Sequence, residues 1–130
     1  MRKRVLVVDD DPDIITFVVT VLEENNFTPI IAKDGEEASR KIKEEKPDLV
    51  ILDILMPKQS GIKLYRELKT DDSLKDVPVV VLSGIAKRTF LRSQEALTEF
   101  GENNVPEPNA YIEKPVDPDE LAEQVKKFLA

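Results

Sequence analysis

Apolar residues along this chain occur in short continuous runs that alternate with stretches of helical periodicity. Four-residue apolar runs lie at 5–8, 49–52 and 79–82, and shorter or interrupted runs lie at 28–32 and 110–113. Short apolar runs are typical of strands that are buried on both faces, as in a parallel sheet. The sequence therefore predicts five strands, with the three continuous runs at the centre of the sheet.

Between these runs, apolar residues recur at spacings of three and four, which predicts amphipathic helices. The first helix is predicted from Pro12 to about Asn25, with Asp11 as its N-cap. Four more helices are predicted at about 34–46, around 64–68, at 86–100 and from 117 to about 128. Pro29 favours an edge position for the second strand, because proline cannot donate to a ladder of hydrogen bonds.

Regular alternation of strand and helix implies right-handed crossovers and a parallel sheet with helices on both faces. The predicted fold class is therefore α/β: a doubly wound, five-stranded, flavodoxin-like parallel sheet in the order 2-1-3-4-5 with five helices. A length of 130 residues predicts one domain, residues 1–130, with a core of its own.

Composition narrows the classes of function. The chain has no cysteine and no histidine, which excludes disulfides, thiolate or imidazole metal sites and Ser-His or Cys-His catalysis. A net charge of −7 argues against direct binding of nucleic acid by this domain. The N-terminus does not resemble a signal peptide, and no apolar run is long enough to span a bilayer. We therefore expect a cytoplasmic protein without membrane association.

Polar residues follow the apolar strands where the strands end, and they are Asp9, Asp10, Asp53, Ser83 and Lys114. Because the carboxyl ends of parallel strands lie on one edge of a sheet, we expect these side chains to converge. Carboxylates at close range repel one another, and Mg²⁺, which prefers oxygen ligands, would relieve that repulsion. The sequence thus predicts a magnesium site at this edge, with Lys114 as a further positive charge.

This set of residues resembles the receiver domains of bacterial response regulators, and the resemblance covers essentially the whole chain. The family has an acidic pair after strand one, a phosphorylated aspartate after strand three, Ser or Thr after strand four and Lys-Pro after strand five. The matching residues here are Asp9-Asp10, Asp53, Ser83 and Lys114-Pro115, together with the loop from Met56 to Gly61 and the aromatic Tyr111.

The resemblance implies that Asp53 accepts a phosphoryl group from a histidine kinase or phosphotransfer protein in a Mg²⁺-dependent reaction. Asp10, Asp53 and the backbone carbonyl of Leu55 would bind Mg²⁺ directly, and Asp9 would act mainly through water. Such a domain promotes its own phosphorylation and dephosphorylation without being an enzyme in the ordinary sense.

The resemblance also implies roles for residues after the fourth and fifth strands. Ser83 and Lys114 would each contact a phosphoryl oxygen. Ser83 and Tyr111 would form a switch that changes binding of an unidentified downstream protein at the surface of the fourth helix, fifth strand and fifth helix. Simpler interpretations exist: Ser83 beside Gly84 fits a turn, and Tyr111 fits packing on an edge strand.

Two departures from the family pattern affect the choice of partner. The stretch between Ser83 and Lys114 is longer than usual in the family by roughly two helical turns, with the extra length within 86–109. No output domain follows the fifth helix in this sequence, so we expect either a single-domain regulator or part of a longer protein. The cognate kinase, the output and the oligomeric state do not follow from the sequence.

Two other classes of function fit parts of the pattern. A Mg²⁺-dependent phosphohydrolase with an aspartyl phosphate would need a second carboxylate two residues after the nucleophile, where this chain has Leu55. A protein-binding scaffold with an unused site is disfavoured by the complete set of site residues.

Leu55 and Ile85, two places after Asp53 and Ser83, cannot orient a water by hydrogen bonding, which predicts slow hydrolysis of the phosphorylated form.

Overall fold

The computed structural model describes residues 2–54, 61–99 and 105–129. Its strands are β1 (Arg4–Val8), β2 (Thr28–Ala32), β3 (Leu49–Leu52), β4 (Val79–Ser83) and β5 (Ala110–Glu113). Its helices are α1 (Pro12–Glu24), α2 (Gly35–Glu45), α3 (Gly61–Thr70), α4 (Lys87–Glu99) and α5 (Pro118–Leu129). Strands and helices alternate throughout the described ranges, as the hydrophobic pattern predicted.

The strands form one parallel sheet in the order β2-β1-β3-β4-β5. This confirms the predicted fold class and strand order. In β3 and β4, two of the three inner strands, every residue is at most 2% exposed. Continuous apolar runs are needed there because helices cover both faces of the sheet.

Each strand divides its side chains between two layers, since successive residues point to opposite faces. In β1, Val5 and Val7 pack in the layer beneath α1 and α5. Leu6 and Val8 pack in the layer beneath α2, α3 and α4. The carboxyl edge of the sheet is therefore held between two hydrophobic layers.

Short polar residues fix the helix ends close to their predicted positions. Asp11 is the N-cap of α1 and accepts a hydrogen bond of 2.9 Å from the Asp13 amide. Asp34 caps α2 and accepts one of 2.8 Å from the Glu37 amide. After α1, Asn26 adopts the left-handed conformation with φ of 66°, which confirms that this segment ends the helix.

Strand β2 lies at the edge of the sheet and pairs only with β1 within the described residues. The Thr28 amide donates to Lys3 O, and Ala32 O accepts from the Asp9 amide, so both residues point their backbone groups toward β1 and its flanks. The backbone groups of the alternate residues Pro29 and Ile31 therefore point away from β1, toward the open edge of the sheet. On that side the Lys41 ammonium donates to Ile31 O. The edge position predicted from Pro29 is confirmed.

Candidate functional site

Three carboxylates meet where β1 and β3 end. The register of these strands pairs Val8 with Leu52, which places Asp9 beside Asp53. One carboxylate oxygen each from Asp9, Asp10 and Asp53 lies within 4.8 Å of the others. Asp9 and Asp53 are 2% and 5% exposed, whereas Asp10 is exposed. The predicted convergence of the acidic residues is therefore confirmed.

Lys114 brings a positive charge to this group from the end of β5. Its amide donates to Ser83 O at 2.8 Å, which joins the ends of β4 and β5. Its Nζ lies 3.3 Å from Asp9 Oδ2 and 3.8 Å from Asp53 Oδ2. Three carboxylates and one ammonium leave a formal charge of −2 at the site, which a single divalent cation would balance.

The acidic residues differ in whether their carboxylate oxygens already make hydrogen bonds or ion pairs within the fold. Asp9 Oδ1 accepts from the Asp11 amide at 3.0 Å, while Asp9 Oδ2 faces Lys114. Asp11 itself is the helix cap described above and is not part of the acidic group. Asp9 is thus held by local structure, and Asp10 is the carboxylate of the group that water reaches most readily.

The donor set fits Mg²⁺. Its members are carboxylate oxygens, the site carries negative charge, and its open side at Asp10 leaves room for the waters that this ion retains. The carbonyl of Leu55, expected as a further ligand, lies outside the described residues, as does the 55–60 loop.

Gly61 is a residue whose role sequence reasoning missed, since the sequence indicated it only as the end of a loop. Its amide donates to Ile54 O at 3.0 Å. A Cβ at this position would lie 2.3 Å from Asp53 O and 2.5 Å from Ile54 Cα. Only glycine therefore allows α3 to begin directly against the backbone that carries Asp53.

Ser83 and Tyr111, expected to form a switch, meet at the turn after β4. Ser83 is fully buried, and its Oγ accepts from the Ile85 amide at 3.1 Å. The Tyr111 hydroxyl donates to Ile85 O at 2.6 Å. Burial raises the pKa of Tyr111 above its ordinary value, and the nearby Ser83 hydroxyl opposes that rise. Both side chains thus contact one backbone unit.

A second contact that the sequence did not indicate ties β5 to α4. Glu113 Oε1 accepts from the Lys87 amide at 2.9 Å and so caps the first turn of α4. Glu113 directly precedes Lys114, so the start of α4 is fixed to the same strand end that supplies the site's ammonium group. A lone glutamate at the end of a short strand gives no signal of this contact in the sequence.

Sequence comparison finds relatives with known family membership. A family model described as the response regulator receiver domain matches residues 5–126. The phosphate regulon transcriptional regulatory protein PhoB of Escherichia coli (strain K12) is 36% identical over 129 residues, covering 99% of this chain and 52% of PhoB. The alkaline phosphatase synthesis transcriptional regulatory protein PhoP of Bacillus subtilis (strain 168) is also 36% identical over 129 residues, covering 99% of this chain and 49% of PhoP. The chain spans about half the length of these curated relatives.

Solved structures share the fold along nearly the whole chain. A response regulator receiver domain protein (CheY-like) from Methanospirillum hungatei JF-1 has a TM-score of 0.80 and 27% identity, covering 99% of this chain and 94% of that one. The BeF3-activated N-terminal receiver domain of Klebsiella pneumoniae RstA has a TM-score of 0.77 and 27% identity, covering 97% of each chain. Among the described residues, no helix is both long and apolar enough to cross a membrane. On the family match and these likenesses, the chain belongs to the receiver domains of two-component response regulators.

Proposed function

We propose that this chain is a phosphorylation-dependent signalling module in which Asp53 accepts a phosphoryl group from a histidine kinase or phosphotransfer protein. The observation that carries the proposal is the buried Asp53 carboxylate within 4.8 Å of two further carboxylates and 3.8 Å from the Lys114 ammonium. We treat residues 1–130 as one receiver unit acting in the cytoplasm, without direct binding of nucleic acid or membrane.

The chemistry proposed is an in-line displacement at phosphorus. An Asp53 oxygen forms the new bond to phosphorus, and the bond between phosphorus and the donor's leaving group breaks with its electron pair going to that group. Such transfers depend mainly on positioning and charge neutralisation. Mg²⁺, held by Asp10, Asp53 and the Leu55 carbonyl with Asp9 acting through water, would neutralise charge on the phosphoryl oxygens.

Lys114 and Ser83 are proposed to hold the transferred group. Formation of the acyl phosphate removes the negative charge of the Asp53 carboxylate and adds a phosphoryl group of about −1.5 to −2 charge. The Lys114 ammonium, already 3.8 Å from Asp53 Oδ2, can then pair with a phosphoryl oxygen. Ser83 can donate its hydroxyl proton to a second phosphoryl oxygen. The hydrogen bond with the Ile85 amide does not use that proton, because the Ser83 oxygen is the acceptor there.

We propose that this contact also drives the switch. Movement of Ser83 toward the phosphoryl group would change the turn at Ile85, and Tyr111, which donates to Ile85 O, would reorient. The surface formed by α4, β5 and α5 would then differ between the two states. An unidentified downstream protein would read that difference.

Incubation with acetyl phosphate and Mg²⁺, followed by intact-mass measurement, tests the phosphoacceptor proposal. We expect one stable phosphoryl adduct, which is absent in Asp53→Asn and retained in Asp11→Ala, a matched carboxylate removal two residues from Asp9. Consumption of acetyl phosphate over many turnovers without an adduct would indicate a phosphohydrolase. No reaction at all would indicate a scaffold, and a full adduct in Asp53→Asn would refute the assignment of the nucleophile.

A further inference from the structure

Three aromatic rings form a row that runs from β5 through α4 to α3, with one ring from each element. The ring centroids of Tyr111 and Phe90 are 5.5 Å apart with an interplanar angle of 43°. Those of Phe90 and Tyr65 are also 5.5 Å apart, at 74°, in an edge-to-face contact. Phe90 and Tyr65 are at most 1% exposed and lie inside the packed core, and Tyr111 is partly buried against it.

The two ends of this row make hydrogen bonds to different parts of the backbone. The Tyr111 hydroxyl donates to Ile85 O, in the turn whose amide contacts Ser83. The Tyr65 hydroxyl donates to Pro106 O, in the segment that precedes β5. The row therefore connects the turn beside the phosphorylation site with residues 105–109, part of the stretch that is longer than the family pattern.

Residues 105–109 are held more firmly at one end than in the middle. Asn109 makes two hydrogen bonds of 2.9 Å with the backbone of Val79. Its backbone amide donates to Val79 O, and its side-chain Oδ1 accepts from the Val79 amide. Two residues before Asn109, Glu107 forms an ion pair of 3.6 Å with Lys87, and both side chains are more than half exposed. Exposed pairs of this kind contribute little to stability. The Tyr65 hydrogen bond is thus the main polar restraint on the middle of the described segment.

The environment of Tyr65 suits it to this contact. Burial and the nearby Glu107 carboxylate both raise the pKa of Tyr65. The hydroxyl therefore keeps its proton over the ordinary pH range and remains a donor to Pro106 O. Phe90 and Tyr65 are almost fully buried and their ring centroids are 5.5 Å apart, so movement of one ring would leave a void or a clash at the other.

We propose that the Tyr111–Phe90–Tyr65 row transmits the state of the phosphorylation site to residues 105–109, and that the Tyr65 hydroxyl is the point of attachment. The inference rests on the proposed phosphorylation of Asp53 and adds a second responding surface to it. Reorientation of Tyr111 shifts Phe90, Phe90 shifts Tyr65, and the hydrogen bond to Pro106 O carries that shift to the segment. Packed cores favour discrete alternative arrangements over gradual deformation, which is what such a relay needs.

Fluorine NMR can follow the row directly, since the chain has only two tyrosines. Protein labelled with 3-fluorotyrosine gives one signal for each ring, assigned with Tyr65→Phe and Tyr111→Phe. Addition of acetyl phosphate and Mg²⁺ should shift both signals. In Phe90→Leu we expect the Tyr111 signal still to shift and the Tyr65 signal to stay in place. Phe17→Leu, on α1 against the opposite face of the sheet, is the matched control and should leave both shifts intact.

Amide exchange of residues 105–109 tests the point of attachment. Pro106 O and the Glu107 amide belong to one peptide unit, so in the parent protein phosphorylation should change exchange at Glu107, by a factor of up to about five, which corresponds to the net contribution of one hydrogen bond. Tyr65→Phe keeps the ring but removes the donor, so the Tyr111 signal should still respond while exchange at Glu107 no longer does.

The outcomes separate this inference from the proposed function. A phosphorylated protein, verified by intact mass, in which only the Tyr111 signal shifts would overturn the relay and leave the phosphoacceptor role intact. Equal responses of residues 105–109 in the parent and in Tyr65→Phe would overturn the role of the hydroxyl. Failure of Asp53 to take up a phosphoryl group would remove the proposed function and the relay together.

Discussion

The two hydrophobic layers on either side of the sheet are built from different kinds of side chain. Beneath α1 and α5, the buried residues are all Val, Leu or Ile. Beneath α2, α3 and α4, the layer includes the rings of Tyr65 and Phe90, and a buried hydrogen bond of 2.6 Å joins Arg66 on α3 to Gln94 on α4. The fully buried part of the first layer therefore relies on contacts without direction, with Phe17, Phe27 and Phe128 only partly buried against it, whereas the second layer adds buried contacts that depend on orientation.

This difference assigns separate tasks to the two layers. Aliphatic packing is roughly proportional to buried area and has no preferred partner, so the layer beneath α1 and α5 acts chiefly through the apolar area that it buries. Hydrogen bonds and ring contacts have few favourable geometries, so a layer that contains them can change from one defined arrangement to another. We therefore expect both layers to contribute to stability, and the structural change that accompanies signalling to appear in the second layer.

Truncation in the aliphatic layer should give the largest effect. Leu121 on α5 is fully buried, and Leu121→Ala should lower the free energy of unfolding by about 2–5 kcal/mol through lost burial and a cavity. Tyr65→Phe, in the other layer, should lower it by only about 1 kcal/mol, the net contribution of one hydrogen bond. Urea unfolding measures both. Equal losses would show that the Tyr65 hydroxyl contributes as much to stability as the burial of a whole aliphatic side chain.

The lifetime of the phosphorylated state should change next most strongly. Ile85, two residues after Ser83, is partly buried against the second layer. Leu55, whose surroundings lie outside the described residues, holds the corresponding place after Asp53. The double variant Leu55→Asn, Ile85→Glu supplies side chains that can orient a water, so decay of purified phosphoprotein should accelerate on the order of 10²-fold. Decay no faster than in the parent would show that water exclusion by these residues does not control the lifetime.

Metal affinity should separate the neighbouring acidic residues at the sheet edge. Asp10→Ala removes a proposed direct ligand and should weaken Mg²⁺ binding at least about tenfold, the smallest loss usual even for outer-shell partners. Asp11→Ala removes a helix cap and should lower stability by about 1 kcal/mol with little change in Mg²⁺ affinity. A titration with Mg²⁺ gives both affinities. Equal weakening would place the acidic pair one residue later in the chain.

The smallest predicted effect is the difference in amide exchange between the two layers. With a phosphoryl mimic bound, exchange from Gly84 to Tyr111 should change, because Ser83 and Tyr111 both contact the Ile85 backbone. Exchange in α1 beyond its first turn should stay constant, since the hydrogen bond between the site and this helix is made at its N-cap, Asp11. Changes confined to α1 would place the switch on the opposite face of the sheet.

Much of this architecture follows from local sequence signals. Apolar runs and helical spacing predicted each strand and helix of the described residues. Most ends differ by a residue or so, as for the helix predicted at 86–100 and found at Lys87–Glu99, whereas the helix predicted only around 64–68 extends over Gly61–Thr70. The acidic site was also predictable in outline, because strand ends in a parallel sheet must share an edge. The sequence could therefore name the acidic residues that converge, although it could not give the distances between them.

Contacts made by packing between elements could not be predicted in this way. The cap that Glu113 gives to α4 and the bond from Tyr65 to Pro106 both depend on where α3 and α4 settle against the sheet. In the sequence, Tyr65 had only the periodicity of a helix face. The close approach of Gly61 to Asp53 O likewise appears only once α3 has a position.

The outward-facing side of β2 bears on how the protein behaves when it is concentrated. An unpaired edge strand is a template on which another chain can add a strand and begin to aggregate. Pro29 has no amide hydrogen to donate to an added strand, and the carbonyl of Ile31 already accepts a hydrogen bond from the Lys41 ammonium. Bringing in a foreign strand would mean displacing a charged side chain that is also paired with Glu37 at 3.2 Å. This edge is therefore closed to strand addition, which favours solubility at the high concentrations that the NMR experiments require.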